Sequence, residues 1–362
     1  MKHHAWRLAA VLVGVAAVAV VVAGVSSGSP AATKGQIIIF GPTSSNNYVA
    51  QLYKGARQTA AKQGYSLKIV ENNFDQAEED NQVQQQLSSG DKPLAYGWWP
   101  SDNKAGIGSQ RALAQSGVPV FMVNQLPIKG TERYWVAYAG VNDVFNGEVA
   151  GKSTVRARNA LKRAGVTLHS PGGNAIVVGF PAGYSAGTDR DKGFNKAIRG
   201  SGIKVIAEQG AGFDPATGYK IGSQLIAANK SKGIDLVYAH NSALSDGVIQ
   251  ALQEQGYKPG KDVMVVGGTC HGNIKPLVNG SEYATGLQAA RLEGVYMLQA
   301  MGRYLQTKKV VPGVLQSPAL PNRIPPIGTV HRYNFIPNPP VYKSNVNKIR
   351  LWGYSVKQLC TY

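Results

Sequence analysis

Apolar positions along this chain fall into short β-branched runs that alternate with longer stretches of helical spacing. Gln36-Ile37-Ile38-Ile39-Phe40 is a continuous apolar run, the mark of a strand buried on both faces. Tyr48 to Gln63 then reads as an amphipathic helix closed by Gly64. Further strands are expected at Leu67–Glu71, Pro93–Trp99, Val118–Val123 and Tyr134–Ala139, with helices at Gln76–Leu87 and Lys104–Ser116. A second set has helices at Asp143–Ala164, Asp189–Ile198, Ala216–Ala228 and Leu244–Gln255. Its strands are expected at Ala175–Phe180, Lys204–Ala207, Leu236–Ala239, Val263–Gly267 and Tyr283–Leu287, and a last helix at Leu292–Leu305. Such alternation implies βαβ units, so the fold class is α/β, with two doubly wound parallel-sheet lobes joined by a hinge near residue 140. Ligands in such sheets bind beyond the carboxyl ends of the strands.

Both ends of the chain break the pattern. Residues 1–32 combine Lys2 and Arg7, an uncharged apolar run from Leu8 to Val25, and small residues through Ala32. These are the three parts of an export signal; with an apolar run near the lower limit for a membrane span, an uncleaved N-terminal anchor is the other reading. Beyond Val311, Pro312, Pro318, Pro321, Pro325, Pro326, Pro337, Pro339 and Pro340 exclude regular helices. Residues 317–362 are therefore expected to pack on the lobes as an extended, proline-rich tail.

Composition changes the picture in two places. The 362 residues are 43% hydrophobic with a formal charge of +18, which raises a nucleic-acid reading. The basic residues are scattered singly, however, with Lys308-Lys309 the longest run, and no zinc-finger spacing or aromatic RNA-binding motif accompanies them. A cationic solvated surface and no nucleic-acid partner is the expectation. The two cysteines, Cys270 and Cys360, cannot make a four-thiolate metal site. In an exported chain they form a candidate disulfide, or else two buried thiols.

Two motifs suggest chemistry. Gly183-Tyr184-Ser185-Ala186-Gly187 fits the G-x-S-x-G turn of serine hydrolases, with Asp246 or Asp262 and His271 or His331 in the required chain order. Phe180-Pro181-Ala182 lengthens the turn, and no oxyanion-forming glycine loop precedes it. Gly147-Glu148-Val149-Ala150-Gly151-Lys152-Ser153-Thr154 has three residues between its glycines where a phosphate loop needs four, and reads as helix. His3, His4, His169, His240, His271 and His331 have no metal-ligand spacing. No cofactor or metal is expected, and an exported esterase acting through Ser185 is the rival from a different class.

The loops after the expected strands are more informative. Asn46 and Tyr48 follow the first strand, Asn124-Gln125 the fourth, and Asn241 the strand ending at Ala239. Arg190 opens a helix, Phe213 precedes another, and Thr269 and Gln288 end later strands. Amides both donate and accept, which suits sugar hydroxyls, while flat rings cover the apolar face of a sugar ring.

These residues carry a resemblance over roughly residues 35–310. With Tyr53-Lys54-Gly55-Ala56, Asp189-Arg190-Asp191-Lys192-Gly193-Phe194, Ala239-His240-Asn241 and Val263-Met264-Val265-Val266-Gly267, the chain resembles a periplasmic sugar-binding protein of the ribose/galactose-binding type, the type I solute-binding protein of an ABC importer. The resemblance implies that Tyr48 and Phe213 stack on opposite sugar faces and that Asn46, Arg190, Asn241 and Gln288 bond hydroxyls. It implies lobes of residues 33–141 completed by 289–316, and 142–288, closing on ligand by a hinge. The chain departs from the family at Asn124-Gln125, where an Asp-Arg pair is usual, at Thr269 in place of Asp, and at Val49 in place of a second ring. Two carboxylates and one guanidinium are thereby lost, so a deoxy sugar or a polyol fits as well as ribose or galactose. Trp98 and Trp99 are candidates to replace the missing ring, or to pack at the lobe edge. The implied partners are a small neutral ligand and an ABC permease in the inner membrane, with a chemotaxis or sensor receptor, including one for an autoinducer-type ligand, as the alternative. The protein is expected to work as a monomer in the periplasm or at the cell exterior.

Overall fold

The computed structural model describes residues 33–319 and 321–362; the expected export signal lies outside the described residues. Lobe 1 runs β1 (Gln36–Pro42), α1 (Asn47–Gln63), β2 (Ser66–Asn72), α2 (Gln76–Ser88), β3 (Ala95–Trp98), α3 (Ile107–Gln115), β4 (Val120–Val123) and β5 (Ala137–Gly140). Lobe 2 follows with α4 (Asp143–Arg163), β6 (Asn174–Gly179), α5 (Ser185–Ile198), β7 (Lys204–Gly210), α6 (Pro215–Asn229), β8 (Leu236–Ala239), α7 (Ser242–Glu254), β9 (Met264–Gly267), α8 (Lys275–Asn279) and β10 (Glu282–Gly286). The chain then returns through α9 (Ala290–Thr307) and β11 (Val311–Gln316), and ends in β12 (His331–Phe335), β13 (Pro340–Tyr342), β14 (Arg350–Leu351), β15 (Tyr354–Ser355) and α10 (Val356–Cys360).

Seven strands form one sheet in the order β11-β12-β5-β4-β3-β1-β2, every pair parallel. Six form the other in the order β13-β10-β9-β8-β6-β7, parallel except for β13 against β10. Helices cover both faces, which is why the strands are apolar throughout. In β1, Ile37 and Ile39 pack with Leu52 of α1 and Met297 of α9, while Ile38 and Phe40 pack with Val83 of α2 and Leu113 of α3.

The tail departs from expectation. It does not only lie over the lobes: β12 is inserted between β5 and β11, and β13 edges the other sheet. Of the prolines that argued against regular structure, Pro312 lies within β11 and Pro340 opens β13, both strands at sheet edges, and the others lie between β11 and β13 on either side of β12. The chain therefore crosses between sheets three times, after β5, after β10 and after β12. A disulfide joins Cys270, just beyond β9, to Cys360 of α10.

Gly147, the first glycine of the phosphate-loop look-alike, is a packing residue on α4. A Cβ there would sit 2.0 Å from the Arg190 carbonyl of α5, and one on Gly193 would sit 1.9 Å from the Val144 carbonyl. The two backbones approach closely through these reciprocal glycines, which fixes where Arg190 starts.

Candidate ligand-binding site

The carboxyl ends of strands from both sheets face each other across a cleft, and the cleft is closed. Ser185 at the start of α5 donates its hydroxyl and its backbone N–H to Gln125 Oε1, at 2.7 and 2.9 Å, and accepts from Asn103 Nδ2 at 3.0 Å. Trp99 Nε1 of lobe 1 donates to Tyr184 Oη of lobe 2 at 3.3 Å, and that hydroxyl donates to Asn124 Oδ1 at 3.2 Å. At the rim, the rings of Phe74 and Phe213 stack across the gap, with centroids 4.8 Å apart.

Behind these contacts lies a narrow cavity of about 40 Å³, drawn tight by the closed lobes. Of the nine residues expected to meet a ligand, Asn46, Tyr48, Asn124, Arg190, Phe213, Asn241, Thr269 and Gln288 line it. Gln125 does not: it is fully buried, donates to the Pro100 carbonyl and holds Ser185. Its place is in the contact that closes the lobes. Trp99 lines the cavity, whereas its neighbour Trp98 packs beside Phe40 in the core of lobe 1.

Local structure places each group. Asn46 and Asn241 are the N-caps of α1 and α7, with Oδ1 accepting from Tyr48 and Val49 N–H and from Leu244 N–H respectively. Their Oδ1 atoms are thus committed to the helices. The Asn241 Nδ2 donates to the Phe213 carbonyl at 3.3 Å, leaving Asn46 Nδ2 the freer donor. Asn124 has φ +60°, a left-handed conformation that Asn tolerates better than most residues, and this bends the chain sharply off β4.

Arg190 is almost fully buried. Its Nε donates to Asp143 Oδ1 at 2.8 Å, its Nη1 to the His240 carbonyl at 2.5 Å and Thr269 Oγ1 at 3.3 Å, and its Nη2 to Gln288 Oε1 at 3.0 Å. The guanidinium also lies 4.8 Å from the Phe180 ring centre. Burial pushes the Asp143 carboxyl up, and the Arg190 charge and the Asn146 amide pull against it.

Sequence reasoning missed several cavity groups. Phe74, Phe180, Tyr184 and His271 all line it. Tyr184 was hidden inside the serine motif, and His271 follows a cysteine rather than a strand. Burial, with the Arg190 charge adding to it, pulls the His271 imidazole down to about 3, so the ring is neutral; it meets Tyr48 edge-on at 5.4 Å. Glu293 stands behind the cavity on α9, where a helix-face position gave no signal. Tyr48 Oη donates to it, and so does Asn124 Nδ2, at 3.2 and 3.3 Å. Burial pushes its carboxyl up to about 7.

Among the described residues no histidine, His271 and His331 included, hydrogen-bonds the Ser185 hydroxyl. The Ser185 hydroxyl is bound by two amides, and the His240 ring has both nitrogens engaged, Nδ1 accepting from Phe180 N–H at 2.9 Å and Nε2 donating to Asp191 at 2.7 Å. Asp246 bonds Asn273, and Asp262 accepts from Lys258 N–H. Among the described residues there is no cluster fit to hold a metal ion, and no helix long and apolar enough to cross a membrane.

Known proteins are similar to this chain over much of its length. The ribose import binding protein RbsB of Escherichia coli K12 is 29% identical over 282 residues, 77% of this chain and 88% of that protein. The galactofuranose-binding protein YtfQ of the same organism is 28% identical over 218 residues, 58% of this chain and 63% of that protein. A solved ABC transporter solute-binding protein of Agrobacterium vitis with bound D-fucose superposes with a TM-score of 0.70 at 19% identity, covering 87% of this chain and 97% of that one. Residues 37–309 match the periplasmic binding protein domain, about three quarters of the chain, and the protein belongs to that family.

Proposed function

We propose that this is an exported, non-catalytic solute-binding protein. It encloses one small neutral polyhydroxylated ligand, a sugar, deoxy sugar or polyol, between its lobes and delivers it as a monomer to an ABC permease. The observation that carries the reading is the lining of the cavity: six aromatic rings and several amides, with its one guanidinium already neutralised by Asp143. Rings on opposite sides suit the two faces of a sugar ring, and amides suit its hydroxyls. The names of the related ribose, galactofuranose and fucose binders agree with this class. Closure by lobe-to-lobe contacts gives a permease a surface to recognise that exists only when both lobes meet around the ligand.

The test is calorimetric titration of the refolded chain with pentoses, hexoses, deoxy sugars and polyols. One of them binds one-to-one, and Phe213→Ala weakens it by about tenfold or more, the loss of roughly 1.4 kcal/mol of stacking. Heat changes absent across the whole panel would overturn the neutral-sugar reading. Hydrolysis of a simple ester, abolished in Ser185→Ala, would overturn the non-catalytic one.

A further inference from the structure

Glu293 is buried beside the cavity, and among the described residues no Lys, Arg or His forms an ion pair with it. Its surroundings were shaped to admit it: a Cβ on Gly140 of β5 would lie 2.8 Å from Glu293 Oε1. It is reached by Tyr48 from α1 and Asn124 beyond β4, and it feels the charges of Asp143 on α4 and Arg190 on α5. An ionised carboxylate only accepts hydrogen bonds. It therefore draws the Tyr48 hydroxyl proton and the Asn124 amide protons away from the cavity. Asn124 is left with Oδ1 on the cavity side, where Tyr184 Oη donates to it, and the Tyr48 oxygen accepts from Gln288 Nε2. On the opposite wall the Arg190 and Asn241 donors are already spent within the protein, on Asp143, His240, Thr269, Gln288 and the Phe213 carbonyl.

We propose that Glu293 is the positioning residue of this site: through Tyr48 and Asn124 it turns acceptor oxygens toward that part of the lobe-1 wall, so that the site selects ligands presenting free hydroxyl donors there. The proposal rests on the binding reading above and adds a polarity to it. A sugar or polyol with a hydroxyl at that wall is taken in preference to the same molecule deoxygenated or O-methylated at that position. Carboxylate chemistry is supplied one side chain behind the cavity, at 293, instead of at 124.

The experiment moves the carboxylate. Glu293→Gln is nearly isosteric but puts an NH₂ group where one acceptor oxygen stood, so either Tyr48 or Asn124 loses its acceptor and turns a donor toward the ligand. The double variant Asn124→Asp/Glu293→Gln returns an acceptor to position 124, now held by the new amide. Wild type and both variants are titrated with D-ribose, L-arabinose, D-galactose, D-fucose and D-fructose, with melting curves as the check on folding. The sugar that binds wild type most tightly is expected to weaken about tenfold to a hundredfold in Glu293→Gln and to recover to within about threefold in the double variant. A ligand-free readout runs beside it: the Asn124 side-chain amide resonance moves as Glu293 ionises near pH 7 in wild type and stays fixed in Glu293→Gln. Unchanged affinity in a folded Glu293→Gln, or a double variant as weak as the single one, overturns the proposal. If none of the five sugars binds wild type, the binding reading is what fails, and an Asn124 resonance that ignores pH overturns the positioning role as well.

Discussion

The two walls of the cleft bury charge in opposite ways. On lobe 2, Arg190 is held by Asp143 at 2.8 Å, by a backbone carbonyl and by Gln288, with an aromatic ring alongside. On lobe 1, Glu293 has hydrogen-bond donors but no cation, and burial pushes its carboxyl up to about 7. A buried charge must be paired or shed by protonation. Lobe 2 takes the first course; on lobe 1 the charge rests on hydrogen-bond donors alone and is shed as the pH falls below about 7, although five strands of each sheet follow the same order. The paired wall keeps its cation beside a counter-charge. The unpaired wall keeps a group that can change charge under ordinary conditions.

Arg190→Ala breaks the paired wall and has the largest expected effect. It strands Asp143, whose Oδ2 already has no partner, inside the protein. Removing one member of a buried pair costs about 3–5 kcal/mol, and denaturant unfolding should register a loss of that size. Replacing both members, in Arg190→Leu/Asp143→Leu, should cost less than the single change, because no charge is left behind. If Arg190→Ala costs no more than Glu293→Gln, the two walls are alike and the contrast fails.

Removing the disulfide sharpens the comparison further. Cys270 lies between Thr269 and His271, both of which line the cavity, so the bridge braces a segment of the lobe-2 wall. Its partner Cys360 sits 90 residues on, and closing so long a loop constrains the unfolded chain. Cys270→Ala/Cys360→Ala is expected to lower unfolding stability by about 2–4 kcal/mol. Ligand affinity should fall less, because Arg190 still anchors Thr269 at 3.3 Å. A stability loss below about 1 kcal/mol would mean that the tail is held by its apolar contacts alone, such as Trp352 against Tyr296.

What the sequence conveyed follows the physics of each region. Strands such as Gln36–Phe40 and Leu236–Ala239 were legible because a sheet covered on both faces demands unbroken apolar runs. Cavity residues were legible where they end strands and cap helices, as Asn46 and Asn241 do. β12 was not: His331–Phe335 contains two basic side chains and an amide, and only its insertion beside β5 makes a strand of it. The start of α5 was also misplaced. Ser185 to Asp189 has little helical patterning, and Gln125, from the other lobe, binds the first free N–H. Glu293 was invisible for a deeper reason. An acid on an amphipathic helix normally faces water, and what turns this one inward is Gly140, Tyr48 and Asn124, which are brought together only by the fold.

The smallest effect tests the unpaired wall. Glu293 has its ordinary carboxyl value, near 4.5, in the unfolded chain and about 7 in the folded one, so between these values the folded state binds more protons. Stability linked to this group is complete below pH 4.5 and is lost as the pH rises through 7. Glu79 and Glu282, which burial pushes up to about 8, act in the same direction. His271 acts oppositely, because its folded value of about 3 lies below its unfolded one, but its contribution is spent below pH 6.5. From pH 6.5 to 8 these carboxyls lead, joined at the lower end by Asp189 and Asp246, which burial pushes up to about 6, and unfolding stability should fall, with Glu293 accounting for about 1 kcal/mol. Glu293→Gln should flatten that share of the slope and leave the rest to the other carboxyls. A wild-type stability that rises across this window would mean that Glu293 is ionised throughout, and lobe 1 would then need a cation as lobe 2 does.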